Sequence, residues 1–324
     1  MITKSVSEIT HRWQSGAPLV SICCITYNQA SYLSEAVDSL LSQDTDFPFE
    51  IIIADDASSD GTRAIIEKYE ATFGDIIKAF VNEANIGAIP NISKVMSLAV
   101  GKYIAICEGD DYWHDPHKLQ QQVDFLEGQP SFSMCCHDYK IRKGDDVFVN
   151  DSPCGFDVLT LEDYAKTLPN IQTLTVVFRN ELRPLIPEHM NRKVTGSVFM
   201  FLRLAEIGDI KFINLPLATY RVHAAGIWSG KSEREKGVMA LQNIDAMRDF
   251  FSNNPKVMGL LTERYVHQSV AFASYSLLRL SLADFLFFAK KSVAHGLFLF
   301  HVKALVAFYW ALSIKMFKKL LRIS

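Results

Sequence analysis

This chain of 324 residues has no Cys-x-x-Cys pair, no excess of basic charge, no internal repeat and no low-complexity tract. Each absence removes a class of protein. Five of the six cysteines (Cys23, Cys24, Cys107, Cys135 and Cys136, but not Cys154) lie in apolar, strand-like runs. That pattern reads as buried free thiols in a reducing compartment, not as zinc ligands or disulfides. The formal net charge is −3. A cationic field able to hold a phosphate backbone is therefore missing, and nucleic acid is not expected as a partner. Residues 1–16 are polar and lack the apolar centre of a signal peptide, so a cytoplasmic location is expected.

What is present suits a folded enzyme-sized chain. Hydrophobic residues make up 49% and charged residues 21%, enough apolar side chains for a large core. At roughly 150 residues per domain, the length allows a domain plus an appendage. From Pro18 onward, strand-like and helix-like runs alternate. Strands are expected over 19–25, 50–54, 76–81 and 103–107. Helices are expected over 31–42, 60–73 (capped by Ser59 or Asp60), 90–100 and 116–127. This alternation predicts an α/β fold with a mostly parallel sheet flanked by helices. Further on, strands are expected over 132–136, 174–178 and 212–220, a helix over 198–207, and a helical appendage after Ser229.

Ligands of such sheets bind at the carboxyl ends of the strands, and the polar residues of this chain gather there. Thr26-Tyr27-Asn28 follows the first strand, Asp55 to Gly61 the second, Asn82 to Gly87 the third. Glu108-Gly109-Asp110-Asp111-Tyr112-Trp113 follows the fourth. Three carboxylates at one strand end repel and raise each other's pKa values. A divalent cation relieves that repulsion, and oxygen donors suit Mg²⁺ or Mn²⁺. A metal–diphosphate site is expected; the plain alternative is an acidic turn capping the next helix.

These four blocks, in this order and spacing, resemble the family 2 glycosyltransferases of GT-A (Rossmann-like) fold, over Pro18 to Ser229. The resemblance implies transfer of a sugar from a nucleotide diphosphate, usually UDP, to an acceptor hydroxyl with inversion. The acceptor would be a glycan or glycolipid in cell-surface polysaccharide synthesis. It also implies residue roles. Thr26, Tyr27 and Asn28 line the donor pocket, where Tyr27 either stacks on the base or is a core aromatic. Asp56 hydrogen-bonds the base, and Asp55 orients it. Asn85, Gly87 and Asn91 face the ribose and phosphates. Asp111 is the direct metal ligand, and Asp110 touches the ribose or the metal. Glu108 stands where many members carry aspartate. Trp113 walls the sugar pocket or is structural. In Tyr220-Arg221-Val222-His223, Arg221 would neutralise the leaving diphosphate and His223 would be a further contact to the metal or the diphosphate.

One position departs from the family pattern. Where an aspartate serves as general base, this chain reads Thr195-Gly196-Ser197-Val198. A serine hydroxyl is no base at neutral pH. Asp138 or Glu206 would then do the work, or the chain is a weak or inactive member. Two rival classes follow: a non-catalytic nucleotide-sugar-binding or scaffold protein, and a nucleotidyltransferase. The second normally shows a glycine-rich loop after the first strand, and Thr26-Tyr27-Asn28-Gln29 is not one.

The end of the chain is apolar over 296–317, with Phe298, Phe300, Phe308, Tyr309 and Trp310. It closes on Lys315, Lys318, Lys319 and Arg322. His301 and Lys303 interrupt it, which disfavours a bilayer span. The expectation is an interfacial anchor on the inner face of the cytoplasmic membrane; the alternative is a helix packed on the catalytic domain or on a second copy of the chain. The expected parts are 1–17, a lead; 18–229, catalytic; 230–295, helical; and 296–324, the apolar helix.

Overall fold

The computed structural model describes residues 4–14, 16–150, 155–190, 197–224, 226, 230–279 and 281–293. The first 164 residues, together with Pro169–Ser229, form one compact unit. A short helix α1 (Val6–Thr10) leads in, capped by Ser5. The first half of the unit then alternates: β1 (Val20–Thr26), α2 (Ala30–Leu41), β2 (Phe49–Asp55), α3 (Thr62–Phe73), β3 (Ile77–Val81), α4 (Ala88–Leu98) and β4 (Tyr103–Ile106). The second half holds β5 (Tyr112–Trp113), α5 (Lys118–Gly128), β6 (Phe132–Lys143), β7 (Asp146–Val149), β8 (Val158–Leu159), α6 (Leu161–Thr167), β9 (Val177–Arg179), α7 (Val198–Ala205) and β10 (Asp209–Arg221).

All ten strands of the described residues join one sheet, with the main order β3-β2-β1-β4-β9-β6-β10-β5. The pairs β1–β2, β1–β4, β2–β3 and β6–β10 are parallel, while β9 runs antiparallel between β4 and β6. This is the expected mostly parallel, helix-flanked α/β sheet. β2 is buried at every position, as a strand covered on both faces must be. Helix α2 shows how the cover works: Leu33, Ala36, Val37, Leu40 and Leu41 are buried, a stripe at i, i+3, i+4, i+7 and i+8. Each large aliphatic side chain buried this way stabilises the fold by about 1.5–3 kcal/mol.

Several boundaries differ from expectation. The run 174–178 is not one strand. A 3-10 turn, Thr173–Thr175, precedes the short β9. The reason is that side chains claim its carbonyls: Trp113 Nε1 donates to Leu174 O (2.9 Å) and Gln122 Nε2 to Thr175 O (3.0 Å). The cap of α3 is Gly61, with no side-chain cap; Asp60 instead accepts from the N–H groups of Thr62 and Ala30. β10 is longer than expected and shifts register around Pro216, whose missing N–H cannot serve a ladder. β5 was not foreseen. It pairs Trp113 with Ala218 and Tyr112 with Thr219, which ties the acidic turn to the end of β10.

Residues 165–168 and 230–324 form the second unit. Its α8 (Glu233–Phe250) opens on a Ser232–Glu235 capping box, followed by α9 (Pro255–Leu278) and α10 (Leu282–Val293). Phe272 and Phe288 stack in it. Among the described residues no helix is long and apolar enough to cross a membrane. The apolar run expected as an anchor lies outside the described residues.

Candidate active site

The carboxyl ends of the parallel strands form one polar edge. Thr26 of β1 pairs with Asp55 of β2, and Asp55 with Val81 of β3. The acidic turn after β4 is packed onto β1: the Gly109 N–H donates to Ile25 O (3.0 Å). A Cβ at position 109 would lie 2.8 Å from both Gln29 Oε1 and Thr26 Oγ1. A larger residue there must displace the Gln29 and Thr26 side chains or the turn itself.

The three carboxylates have different partners. Glu108 Oε1 accepts from Thr173 Oγ1 (2.6 Å), while its buried Oε2 has no partner. Burial pushes its pKa up to about 7, against the pull of Thr173, and the charge of Asp110 adds to the rise. Asp111 is buried, and its Oδ1 accepts from the Arg221 backbone N–H (2.7 Å). Burial first, then Asp110 and Glu108, hold its carboxyl well above the usual range. Asp110 Oδ2 lies 2.9 Å from His223 Nε2.

Arg221, expected to meet a diphosphate, is committed within the protein. Nη1 donates to Asp110 O (2.7 Å) and Nη2 to Glu35 Oε2 (2.5 Å). The rings of Tyr32 and Tyr112 each stand 4.9 Å from the guanidinium. Here Arg221 is a strut under the acidic turn and not a free donor fork.

On the other side, Asp56 organises the loop after β3. Its Oδ1 accepts from Asn82 Nδ2 and the Ile86 N–H (2.9 Å each), its Oδ2 from the Gly87 N–H (2.8 Å). Gly87 has φ +90°, which only glycine adopts without strain. Asn91 is buried and donates to Ala54 O (3.2 Å) while accepting from Asn82 (3.0 Å). It supports the pocket from below. Asp55 Oδ1 accepts from the Ser58 N–H and hydroxyl, and its buried Oδ2 has no partner. Asn28 and Ala57 sit at positive φ (51° and 62°), a costly conformation for Ala57. Ser59 N–H donates to Asn28 Oδ1 (2.8 Å). Tyr27 is 48% exposed, so it is not a core aromatic. Asn85 is exposed.

Two expected site residues, Trp113 and Glu206, do not face this edge. Trp113 is a core residue, 3% exposed, with Lys118 Nζ 4.0 Å over its ring. It cannot wall a sugar pocket. Asp138 is buried on β6 and accepts from Tyr139 N–H and Asn150 Nδ2. Ala105 of β4 and Cys135 of β6 both pair with Val177, so Asp138 stands level with Glu108, across β9 from the start of the acidic turn. Glu206 pairs with Arg203 (2.8 Å) ahead of the amino end of β10, at the opposite edge of the sheet from Arg221. Ser197 heads α7 without a side-chain cap. Conversely, Tyr32, Glu35 and Thr173 hold the site from outside the four blocks, and Asn82, which opens the third block, had no role assigned to it. Only the helical spacing of Tyr32 and Glu35 could have marked them.

The expected metal set of Asp110, Asp111 and His223 is not preassembled. Among the described residues no three His, Cys, Asp or Glu side chains converge around a metal-sized point. The reason is that Asp110 Oδ2 bonds His223 Nε2 directly, while the Arg221 N–H takes Asp111 Oδ1 and leaves Oδ2 for a cation. The donors still suit a divalent cation. Asp111 Oδ2 takes no hydrogen bond among the described residues, and the carboxylates raise each other's proton affinity. Mg²⁺ and Mn²⁺ need only one or two protein carboxylates beside water and phosphate.

The raised carboxyls give a stability test. Between about pH 4.5 and pH 7 the folded chain holds a Glu108 proton that the unfolded chain has lost. Stability therefore falls as pH rises through that window, by up to on the order of 3 kcal/mol from Glu108. Melting temperature against pH in EDTA should show this slope, and Glu108→Gln should flatten it. Mn²⁺ should stabilise more at pH 7.5 than at pH 5.5, because protons compete for the ligands. A wild-type slope that survives unchanged in Glu108→Gln would remove Glu108 as its source.

The comparisons with known proteins bear on the family and the fold. The family model "Glycosyl transferase family 2" matches residues 21–183. A putative teichuronic acid biosynthesis glycosyltransferase of Bacillus subtilis, TuaG, is 32% identical over 68% of this chain and 85% of its own. The chain spans 63% of the length of the mycobacterial relatives that it matches at 36% identity. In fold it is similar to S. aureus TarS 1–349 in complex with UDP-GlcNAc, with TM-score 0.53 and 17% identity over 85% of this chain and 91% of that one. It is equally similar to the mannosyltransferase PcManGT of Pyrobaculum calidifontis in complex with GDP-Man and Mn²⁺, with TM-score 0.53 and 17% identity over 93% and 81%.

Proposed function

This chain belongs to glycosyl transferase family 2; from that premise we propose that it is a glycosyltransferase, moving a sugar from UDP, with inversion, to a hydroxyl of a cell-surface glycan or glycolipid. The observation that carries the reading is one polar edge holding both the Asp55–Asp56 turn and the Glu108–Asp111 turn. The spacing of a nucleoside from its diphosphate asks for two such stations. TarS, whose structure holds UDP-GlcNAc, supports UDP as the carrier; TuaG, named for teichuronic acid synthesis, supports a surface-glycan acceptor.

The chain's own residues would act as follows. Asp56 has three of its roughly four lone-pair sites filled, which leaves one for the uracil ring N–H. Tyr27 supplies an exposed ring for the base. The loop at Asn85 and Gly87 meets the ribose and phosphates. Asp110, Asp111 and His223 would hold Mn²⁺ or Mg²⁺, which supplies positive charge to the departing diphosphate. PcManGT, solved with Mn²⁺, supports that assignment. Attack by the acceptor oxygen breaks the bond from the anomeric carbon to the diphosphate, and the acceptor proton must pass to a base. The apolar run 296–317 would bring the chain to the inner membrane surface, where a glycolipid acceptor resides.

Ser197 supports a second reading, a nucleotide-sugar-binding protein with little turnover. One experiment decides. Wild type and Ser197→Asp are assayed with a panel of UDP- and GDP-sugars, and the product anomer is read by NMR. Turnover with an inverted product, raised in Ser197→Asp, is expected. Binding without turnover in both proteins would favour the second reading. A product with retained configuration would reject inversion.

A further inference from the structure

We propose that Glu35 is a positioning residue for the acidic turn: it fixes the Arg221 guanidinium, which holds the Asp110 carbonyl and with it the Asp110–Asp111 turn in the arrangement that accepts a divalent cation. The inference rests on the metal reading above and assigns a role to a helix that no motif marks.

Helix α2 has two working faces. Its apolar stripe enters the core. Its other stripe carries Tyr32, Glu35 and Ser39, at i, i+3 and i+7, side chains that share a face. Each touches the acidic region. Ser39 Oγ accepts from the Trp113 N–H (3.0 Å), which anchors β5 just beyond the triplet. Tyr32 packs against the His223 ring (4.7 Å) and covers one side of the Arg221 guanidinium. Glu35 takes the Arg221 Nη2 donor and, through both oxygens, Arg142 Nη1 (3.1 and 3.4 Å).

A half-exposed ion pair ordinarily contributes little, because water solvates both charges nearly as well. This pair differs on one side. The Arg221 side chain is 6% exposed, whereas Glu35 is 50% exposed. Boxed between Tyr32 and Tyr112, the guanidinium cannot turn to water. Removing Glu35 leaves a buried cation short of a partner, and the nearest anionic groups are those of the acidic turn. Arg221 would then compete with a metal ion for Asp110 and Asp111, while the Asp110 carbonyl loses its fixed donor; the Arg221 main-chain N–H that serves Asp111 Oδ1 stays with β10. Arg142, left without Glu35, adds a second cation to the same region. The expected consequence is weaker metal binding in a chain that is still folded.

The test is a Mn²⁺ titration of the full chain, followed by electron paramagnetic resonance of free Mn²⁺, on wild type, Glu35→Ala and Glu35→Gln. Thermal melting in EDTA is measured on each. Glu35→Ala should raise the Mn²⁺ Kd by about tenfold. Glu35→Gln, which keeps an acceptor for Nη2, should raise it less. Should Glu35→Ala fail to fold, Glu35→Gln carries the test, and any rise of threefold or more supports the role. A merely structural residue would lower the melting temperature and leave Mn²⁺ affinity of the folded chain unchanged. That result, with wild type binding Mn²⁺, overturns the inference alone. A wild-type chain that binds no Mn²⁺ overturns the metal reading and this inference with it.

Discussion

Asp111→Asn should lower turnover by on the order of 10²-fold or more while raising the stability of the metal-free chain at neutral pH. The two effects have one cause. Asp111 is buried, and its carboxyl is held well above the usual range by that burial and by Asp110 and Glu108. Its charge is a liability to the fold and an asset to cation binding. Asparagine keeps an oxygen to accept the Arg221 N–H, so the link between the turn and the end of β10 survives. It removes the charged donor that would meet the metal beside the departing diphosphate. Turnover is measured at limiting Mn²⁺, and melting temperature in EDTA at pH 7.5. A mutant with wild-type turnover at limiting metal would show that Asp111 is no ligand. A mutant that loses both activity and stability would show that the residue is structural.

The parts of the fold that were legible in the sequence are those where local pattern and environment coincide. β1, β2 and β4 are short apolar runs because both faces are covered, and the polar residues just past them stand at the sheet edge where they were expected. The acidic turn was legible because like charges at one strand end need an explanation. What was not legible depends on partners far away in sequence. Tyr32 and Glu35 look like ordinary residues of an amphipathic helix; their partners, Arg221 and His223, lie some 190 positions on. Trp113, beside the acids, looked like a pocket wall. Its ring nitrogen finds Leu174 O and Lys118 covers its face, neither of which adjacency in sequence could reveal. The first of these contacts, with Gln122 Nε2 on Thr175 O, explains why Thr173–Thr175 is a 3-10 turn where β-propensity suggested strand. Glu206 illustrates the reverse error. It is acidic and close to β10 in sequence, but β10 is 13 residues long, so it separates Glu206 from Arg221 by roughly 35–40 Å.

Asp56→Ala should weaken UDP binding by about 1.5–3 kcal/mol, which is on the order of 10- to 100-fold in Kd, and leave Mn²⁺ affinity nearly unchanged. The geometry separates the two stations. Asp56 is fastened to the loop after β3 through Asn82, Ile86 and Gly87, whereas the proposed metal donors belong to the turn after β4. Two routes lead from Asp56 to the nucleotide. One is a direct bond to the uracil N–H. The other is indirect: without the carboxylate, the N–H groups of Ile86 and Gly87 lose their acceptor and the loop relaxes. Calorimetry with UDP and with pyrophosphate, both in the presence of Mn²⁺, tells them apart. Pyrophosphate has no base to lose. If the direct bond carries the effect, affinity falls for UDP and holds for pyrophosphate. If loop order carries it, both fall together. Equal UDP affinity for mutant and wild type would remove Asp56 from the donor pocket altogether, and the polar edge of β2 would then need another ligand.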